Sequence, residues 1–387
     1  PIWAAFVTSG DVTNPLVSTA WATLPDLQAK IDAAADNATI TLDSNTEIAA
    51  TLQITKNLTL DLNGCTLRMT GTGSVLKVSG RATLTITDSS AAKSGTITGG
   101  NAEYGGGVYV DDYAALKMTG GCITGCHASR GGGGIYSSGN LYMGGTAKIE
   151  KCTGSDDAIW NRENSDIYAD GGTVDGTVNN QGTIKRSEGA AAVTVFNGTV
   201  YNRSAGTIIA GIYNGTVENN GTISGGTFCG GVTIRKGSWV WERTGSISGG
   251  TFYSSIVNEA GPERVTGVTF AVTFDRGDGT KTEPTPVKYN DLVPKPTAPT
   301  KSGYTFTGWE DANGAYDFNT PVTGPLTLTA RWEEVPSSGG YYYYPTTDTK
   351  ADDAKGSPKT ADPGVALYAA LSLLSLTGLT CTARKKF

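Results

Sequence analysis

The chain has 387 residues, enough for two or three domains, with 53 glycines, 17% charged residues and a formal net charge of −6. That charge argues against nucleic acid as a partner. With one histidine and no Cys-x-x-Cys pair, neither a metal site nor a cofactor is expected, and the glycine-rich, charge-poor composition suits a β-rich extracellular protein with many turns.

In chain order, residues 1–20 carry apolar positions (Ile2, Trp3, Phe6, Val7) without a basic leader. They are expected to be a fragment edge or the remnant of a signal. The parallel strands expected below need a cover over their open end. Thr23 to Ala35 is predicted to be that cover, a short helix with Thr23 as cap, Pro25 in its first turn and Leu24, Leu27, Ile31 and Ala34 on one face. Asn37-Ala-Thr-Ile-Thr-Leu42 opens the first strand, and Leu58-Thr-Leu-Asp-Leu follows.

The middle of the chain repeats itself with a period near 24 to 26. Gly95-Thr-Ile-Thr-Gly-Gly precedes Gly105-Gly-Gly-Val-Tyr109; 26 residues on, Gly121-Cys-Ile-Thr-Gly-Cys precedes Gly131-Gly-Gly-Gly-Ile-Tyr136. Ile223-Ser-Gly-Gly-Thr-Phe228 recurs unchanged as Ile247 to Phe252. Short β-branched runs split by Gly and Asn favour strands joined at sharp corners. One unit cannot bury its apolar face alone, whereas stacked units can. Residues 21–265 are therefore expected to form a parallel β-helix of about eight to ten coils, with Ile97, Ile123 and Ile149 inward at one height. Cys126 and Cys152 are expected to stack as well, either as a small-residue ladder or as a disulfide. With Cys381 in the tail, the five remaining cysteines are a poor disulfide framework.

The cover, the Asn37–Leu42 opening and Leu58-Thr-Leu-Asp-Leu-Asn-Gly64 resemble the start of pectin-lyase-like right-handed β-helices. The Gly-Gly-Gly-(Val/Ile)-Tyr coils are similar to those of bacterial surface adhesins of that superfamily. The resemblance covers roughly residues 21 to 265 and implies fold more than function.

From Val268 the pattern changes. Val272-Thr-Phe-Asp, Val287-Lys-Tyr, Gly303-Tyr-Thr-Phe-Thr-Gly-Trp309, Tyr316-Asp-Phe318 and Leu326 to Trp332 follow in order. Residues 268–335 resemble the internalin B-type repeat (InlB B-repeat), a small β-grasp-like module of surface proteins. The resemblance implies a spacer or adhesive module without catalysis, and the single copy argues for a spacer between the β-helix and the wall. Tyr304, Phe306, Trp309, Phe318 and Trp332 are its expected core. Residues 336–356, with Tyr341 to Tyr344, read as a flexible stalk.

Residues 357–387 end the chain with Ser-Pro-Lys-Thr-Ala, an uncharged run over 365–383, and Arg384-Lys385-Lys386. As a helix that run would be about 28 Å long, close to the hydrocarbon core of a bilayer. The order of pieces resembles a sortase sorting signal of Gram-positive bacteria, LPxTG-like, with Pro358, Lys359, Thr360 and Ala361 at the cleavage site. The resemblance implies that a sortase cysteine attacks the carbonyl of Thr360 and that an amine of the peptidoglycan takes over the acyl group. Membrane contact would then be confined to the span before sorting. Ser357 and Ala361 depart from the commonest form, which leaves the sortase class open. A plain uncut transmembrane anchor is the alternative.

Parallel β-helices also host polysaccharide lyases and glycoside hydrolases. Hydrolysis needs two carboxylates facing one bond, and a lyase needs a base. The acidic candidates are Asp111, Asp112, Asp156 and Asp157, and the basic ones Arg130, Lys148 and Arg162. Neighbours in a strand face opposite ways, so each acidic pair offers one outward carboxylate. His127 lies beside a turn and is expected at the surface. We expect a wall-anchored adhesin, non-catalytic, that binds glycan or host and community ligands, with Tyr109, Tyr136 and Trp160 as candidate ligand-face aromatics. A cell-surface lyase or hydrolase and a purely structural wall protein are the alternatives.

Overall fold

The computed structural model describes residues 27–154, 158–237 and 244–336. Short strands stack parallel and in register, coil over coil, into a parallel β-helix with three faces. The first face begins with Ala38–Thr41 under Leu58–Asp61, and the second with Thr46–Ile48 under Thr66–Met69. The third holds ten strands, from Leu52–Ile54 to Ile256–Asn258. Asn140–Glu150 and Asp166–Asp175 run through a corner and serve the first two faces together. Coil length varies more than the repeat suggests. Leu84 pairs with Leu116, 32 residues on, whereas Ile208 pairs with Ile223, fifteen residues on.

Ile97, Ile123 and Ile149 do stack inward, in a column that begins at Leu67 and continues through Val174, Phe196, Tyr213 and Phe228 to Phe252. The last four rings lie nearly parallel, with centroids 5.1, 4.8 and 4.7 Å apart. Each such pair adds about 0.5–1.5 kcal/mol beyond its burial. The repeated Ser-Gly-Gly-Thr-Phe motif exists for this column. Gly226 and Gly250 have φ of 103° and 115°, and a Cβ on either would lie 3.2 Å from the ring of Phe228 or Phe252 respectively.

A second inward column is polar. Asn161, Asn180, Asn202 and Asn219 are fully buried, and each side-chain amide donates to the next carbonyl at 2.8, 2.8 and 2.7 Å. An unpaired amide here would cost about 1–3 kcal/mol, so each rung depends on its neighbour. Cys126 and Cys152 are free thiols, the ladder rather than the disulfide; their mutual hydrogen bond, then burial, push the Cys126 thiol up.

Both ends of the β-helix are closed. Leu27–Ala33 is helical and buries Leu27 and Ile31; Thr23, Leu24 and Pro25 lie outside the described residues. Gln28 stands in for a missing strand. Its amide donates to the Gln53 carbonyl at 3.1 Å and accepts from the Gln53 N–H at 2.7 Å. At the other end Phe270, fully buried, meets Phe252 at 6.5 Å, and the Ile256 N–H donates to the Thr323 carbonyl at 2.8 Å. The segment expected to be a spacer is thus packed on the last coil as its cover.

That second domain is a five-stranded sheet. Thr269–Asp275 and Leu326–Glu334 pair parallel at its centre, and Thr285–Lys288, Tyr304–Asp311 and Gly314–Ala315 add antiparallel. Trp309 is buried against Phe274 and Phe306. Phe306, Phe318 and Trp332 pack on the core in part. Tyr304 does not: its hydroxyl donates to Glu334 at 3.2 Å, and the Lys301 ammonium sits 4.2 Å from its ring centroid. Among the described residues no helix is long and apolar enough to cross a membrane; the stalk, the sorting motif and 365–383 lie outside them.

Asp61 and Asp88 pin the turns between the first and second faces on successive coils. Asp61 Oδ1 accepts the N–H groups of Asn63 and Ser89 at 3.0 and 2.9 Å. Asp88 accepts from Gly64, Gly95 and Ser90, the last through both backbone and hydroxyl. Burial opposes ionisation at both, but the Ser89 and Ser90 hydrogen bonds and the backbone donors outweigh it and hold both carboxyls below their usual range. A carboxyl lowered by folding stabilises the fold above its unfolded value of about 3.9, and the contribution is lost as pH falls through the folded value. Thermal unfolding should therefore show stability falling below about pH 4. Asp88→Asn should start less stable at neutral pH and lose less on acidification. An unchanged acid slope in that variant would refute the assignment.

Candidate functional site

The central residue of each third-face strand points outward, because its neighbours on either side point in. The register puts Gln53, Lys77, Tyr109, Tyr136, Trp160, Asn179 and Tyr201 in one row along the axis. The three aromatics singled out in the sequence are therefore adjacent. Val108, Val110 and Ile135 beside them face the core and are fully buried, so inward packing does not explain the row.

A ledge flanks these coils. Asn101–Tyr104, His127–Gly131 and Thr153–Gly154 form a separate three-stranded parallel sheet ahead of the third face. From it the chain turns onto the face through glycines. Gly105 and Gly132 take φ of 62° and 66°, and a Cβ on Gly106 or Gly133 would fall within 2.5 Å of a neighbouring coil's carbonyl oxygen. This is why each unit reads Gly-Gly-Gly before its Val-Tyr or Ile-Tyr.

The ledge brings in Tyr104, which sequence reasoning missed. Tyr104 and Tyr109 both pack on Tyr136, with centroids 4.9 and 5.0 Å away, and Trp160 lies 6.4 Å beyond. Tyr136 is consequently only 8% exposed, while Tyr104, Tyr109 and Trp160 remain half-buried. Trp160 lies flat on Gly131: a Cβ there would sit 1.9 Å from its Cε3. Burial, then the neighbouring Tyr136 and Asp111, push the Tyr109 hydroxyl up. The signal for Tyr104 was its place immediately before the Gly-Gly-Gly turn, where Arg130 stands one coil on.

The charged candidates do not converge. Arg130, on the ledge, pairs with Glu103 at 2.8 Å, and its guanidinium is raised first by a hydrogen bond to the Tyr104 hydroxyl and then by Glu103. Asp111 follows the Val108–Val110 strand at its other end and meets Lys77 at 3.9 Å. Asp112 is exposed on the turn beyond. Lys148 lies on the second face, between Glu150 at 2.6 Å and Asp175 at 3.7 Å. Arg162 stands on the turn after Trp160. His127 is exposed, with Nδ1 3.2 Å from Thr153 Oγ1. Asp156 and Asp157 lie outside the described residues, as do Pro358, Lys359, Thr360 and Ala361. Among the described residues no group of His, Cys, Asp or Glu is arranged to hold a metal ion. What the ledge and row offer together is an aromatic and hydroxyl surface bordered by charges of both signs.

Residues 270–331 match the Listeria-Bacteroides repeat domain family. A stretch of 68 residues is 34% identical to a protein of Evansella cellulosilytica whose name describes it as Gly-rich and a membrane protein. The stretch is 16% of this chain and 8% of that protein. No solved structure matches the chain. The family match falls on the second domain, the segment in which the sequence resemblance placed an internalin B-type repeat.

Gly131→Ala should lift Trp160 off the ledge. The expected result is a red-shifted tryptophan emission with increased quenching by iodide, and a loss of about 1–3 kcal/mol of stability from overpacking. Unchanged emission and stability would show that Trp160 is not seated there.

Proposed function

We propose that this is a cell-surface protein, attached to a Gram-positive wall through its sorting signal, whose β-helix binds an extended glycan without cleaving it. The observation that carries the reading is the cluster of half-exposed Tyr104, Tyr109 and Trp160 rings packed over Tyr136. Aromatic rings and tyrosine hydroxyls in a line suit the alternating apolar and hydroxyl faces of a polysaccharide. Stacked coils repeat every 4.8 Å or so, which offers a polymer repeated contacts rather than one deep pocket. The non-catalytic part is supported by the separation of Arg130, Asp111 and Lys148, each engaged by its own partner. The pectin-lyase-like likeness supports the fold of such a binder. The repeat domain and the Gly-rich relative support surface display.

Purified residues 21–335 should be retained by at least one polysaccharide in a panel of plant, host and bacterial polymers, by affinity electrophoresis. Tyr109→Ala and Trp160→Ala should each weaken that retention severalfold, and no reducing ends or unsaturated uronates should appear. Retention by none, or release of product from any, would overturn the reading. Wall attachment has its own check in a Gram-positive host. Thr360→Ala should move the protein from the muramidase-released wall fraction to the membrane fraction. An unaltered wall fraction would leave the uncut or non-sortase route.

A further inference from the structure

The turns that lead from the third face back to the first differ in length on successive coils. Four residues, 111–114, follow the Val108–Val110 strand, and four, 162–165, follow Ile159–Asn161. Between them the Ile135–Ser137 strand is followed by Ser138 and Gly139 alone before Asn140. A short turn between two long ones leaves a notch. Its floor is Ser138-Gly139, drawn in so tightly that a Cβ on Gly139 would lie 2.0 Å from the Ala114 carbonyl oxygen. Its walls are Asp112-Tyr113 on one side and Arg162-Glu163-Asn164 on the other, two coils apart, or roughly 9–10 Å. The cleft holds about 430 Å³.

The wall side chains point no hydrogen bonds at one another. The carboxylates of Asp112 and Glu163, the guanidinium of Arg162 and the amides of Asn140 and Asn164 make no side-chain hydrogen bond or ion pair with another described residue. Tyr113 is 82% exposed at φ 63°, with the Arg81 guanidinium 5.7 Å from its ring centroid. These coils are the ones that carry Tyr109, Tyr136 and Trp160, so the notch opens beside the aromatic row, past the C-terminal ends of those strands.

We infer that the notch is a subsite for a single uncharged sugar residue, and this rests on the glycan-binding reading above. A planar guanidinium donates to two vicinal hydroxyls, carboxylates accept from hydroxyls, and amides do both. Among the lining side chains one guanidinium, Arg162, stands with two carboxylates, Asp112 and Glu163, and the Arg81 guanidinium lies against Tyr113, so a uronate, sulfate or phosphate entering the notch would be desolvated without a net attraction to offset it. A neutral hexose or pentose meets only donors and acceptors. The volume suits one ring, and Tyr113 supplies an apolar wall for it.

The test uses whichever panel polymer the native protein retains, together with neutral and uronate oligosaccharides as competitors. Neutral oligosaccharides should compete better than uronates. Arg162→Ala, exposed on its turn, should weaken neutral binding about tenfold with the thermal midpoint unchanged. The double variant Asp112→Asn, Glu163→Gln should narrow the preference against uronates. Retention that depends on Tyr109 and Trp160 but is untouched by Arg162→Ala would overturn the subsite and leave the parent reading standing, as would better competition by uronates. Retention by no polymer would overturn both.

Discussion

Everything in this molecule depends on parallel, in-register stacking. A coil of this chain has too few apolar residues to bury a core alone, and its strands have no partners within the coil. Both needs are met by the coils above and below. Because side chains alternate strictly along a strand, a slip of one residue would turn the inward set out. Register is therefore enforced along the whole axis, and each position keeps its environment from coil to coil. That is what allows Phe196, Tyr213, Phe228 and Phe252 to pile ring on ring, and Asn161 to Asn219 to pass an amide hydrogen bond along four coils.

The same constraint creates two ends with unpaired backbone, and the chain closes them by different means. At the start a side chain does it: Gln28 gives its amide to Gln53 in place of a strand. At the finish a domain does it. Phe270 continues the ring column past Phe252, while the Thr323 carbonyl takes the Ile256 N–H. Open parallel edges recruit other chains, so both covers also protect against association through the ends.

How much of this was legible depended on whether the relevant spacing was local. Ile97, Ile123 and Ile149 stand 26 apart in sequence and stack as that spacing demands. The landmarks of the second domain, from Val272 to Trp332, placed it within a few residues of the family match. The late coils were harder. Gly206-Thr-Ile208 recurs as Gly221-Thr-Ile223 fifteen residues on, off the period of 24 to 26, and only the backbone register shows that each such short unit is a whole coil. The packing of the repeat domain on the last coil was also hidden, because nothing local tells Phe270 from any other strand phenylalanine. Tyr304 was assigned to a core from its place in a motif, whereas its strand position turns it toward Lys301 and Glu334. Tyr109, Tyr136 and Trp160 were found as a set, yet the Tyr104 that covers Tyr136 arrives from a ledge with no periodic signature of its own.

The division between what stacking fixes and what it leaves free bears on where this fold can carry specificity. Inward positions answer to the column they belong to, and a change at one rung strains the rungs on either side. Outward strand positions are freer, but at a coil spacing near 4.8 Å their side chains still crowd one another, as Tyr136 shows by vanishing beneath its neighbours. Turns are bound by neither rule. They tolerate different lengths on successive coils, and a difference of two residues is enough to open a cleft beside Arg162 or, where an extra strand is inserted, to raise the ledge that holds Tyr104 and Arg130. In a solenoid of this kind the strands set a ruler, and chemistry is placed on it wherever consecutive turns disagree in length.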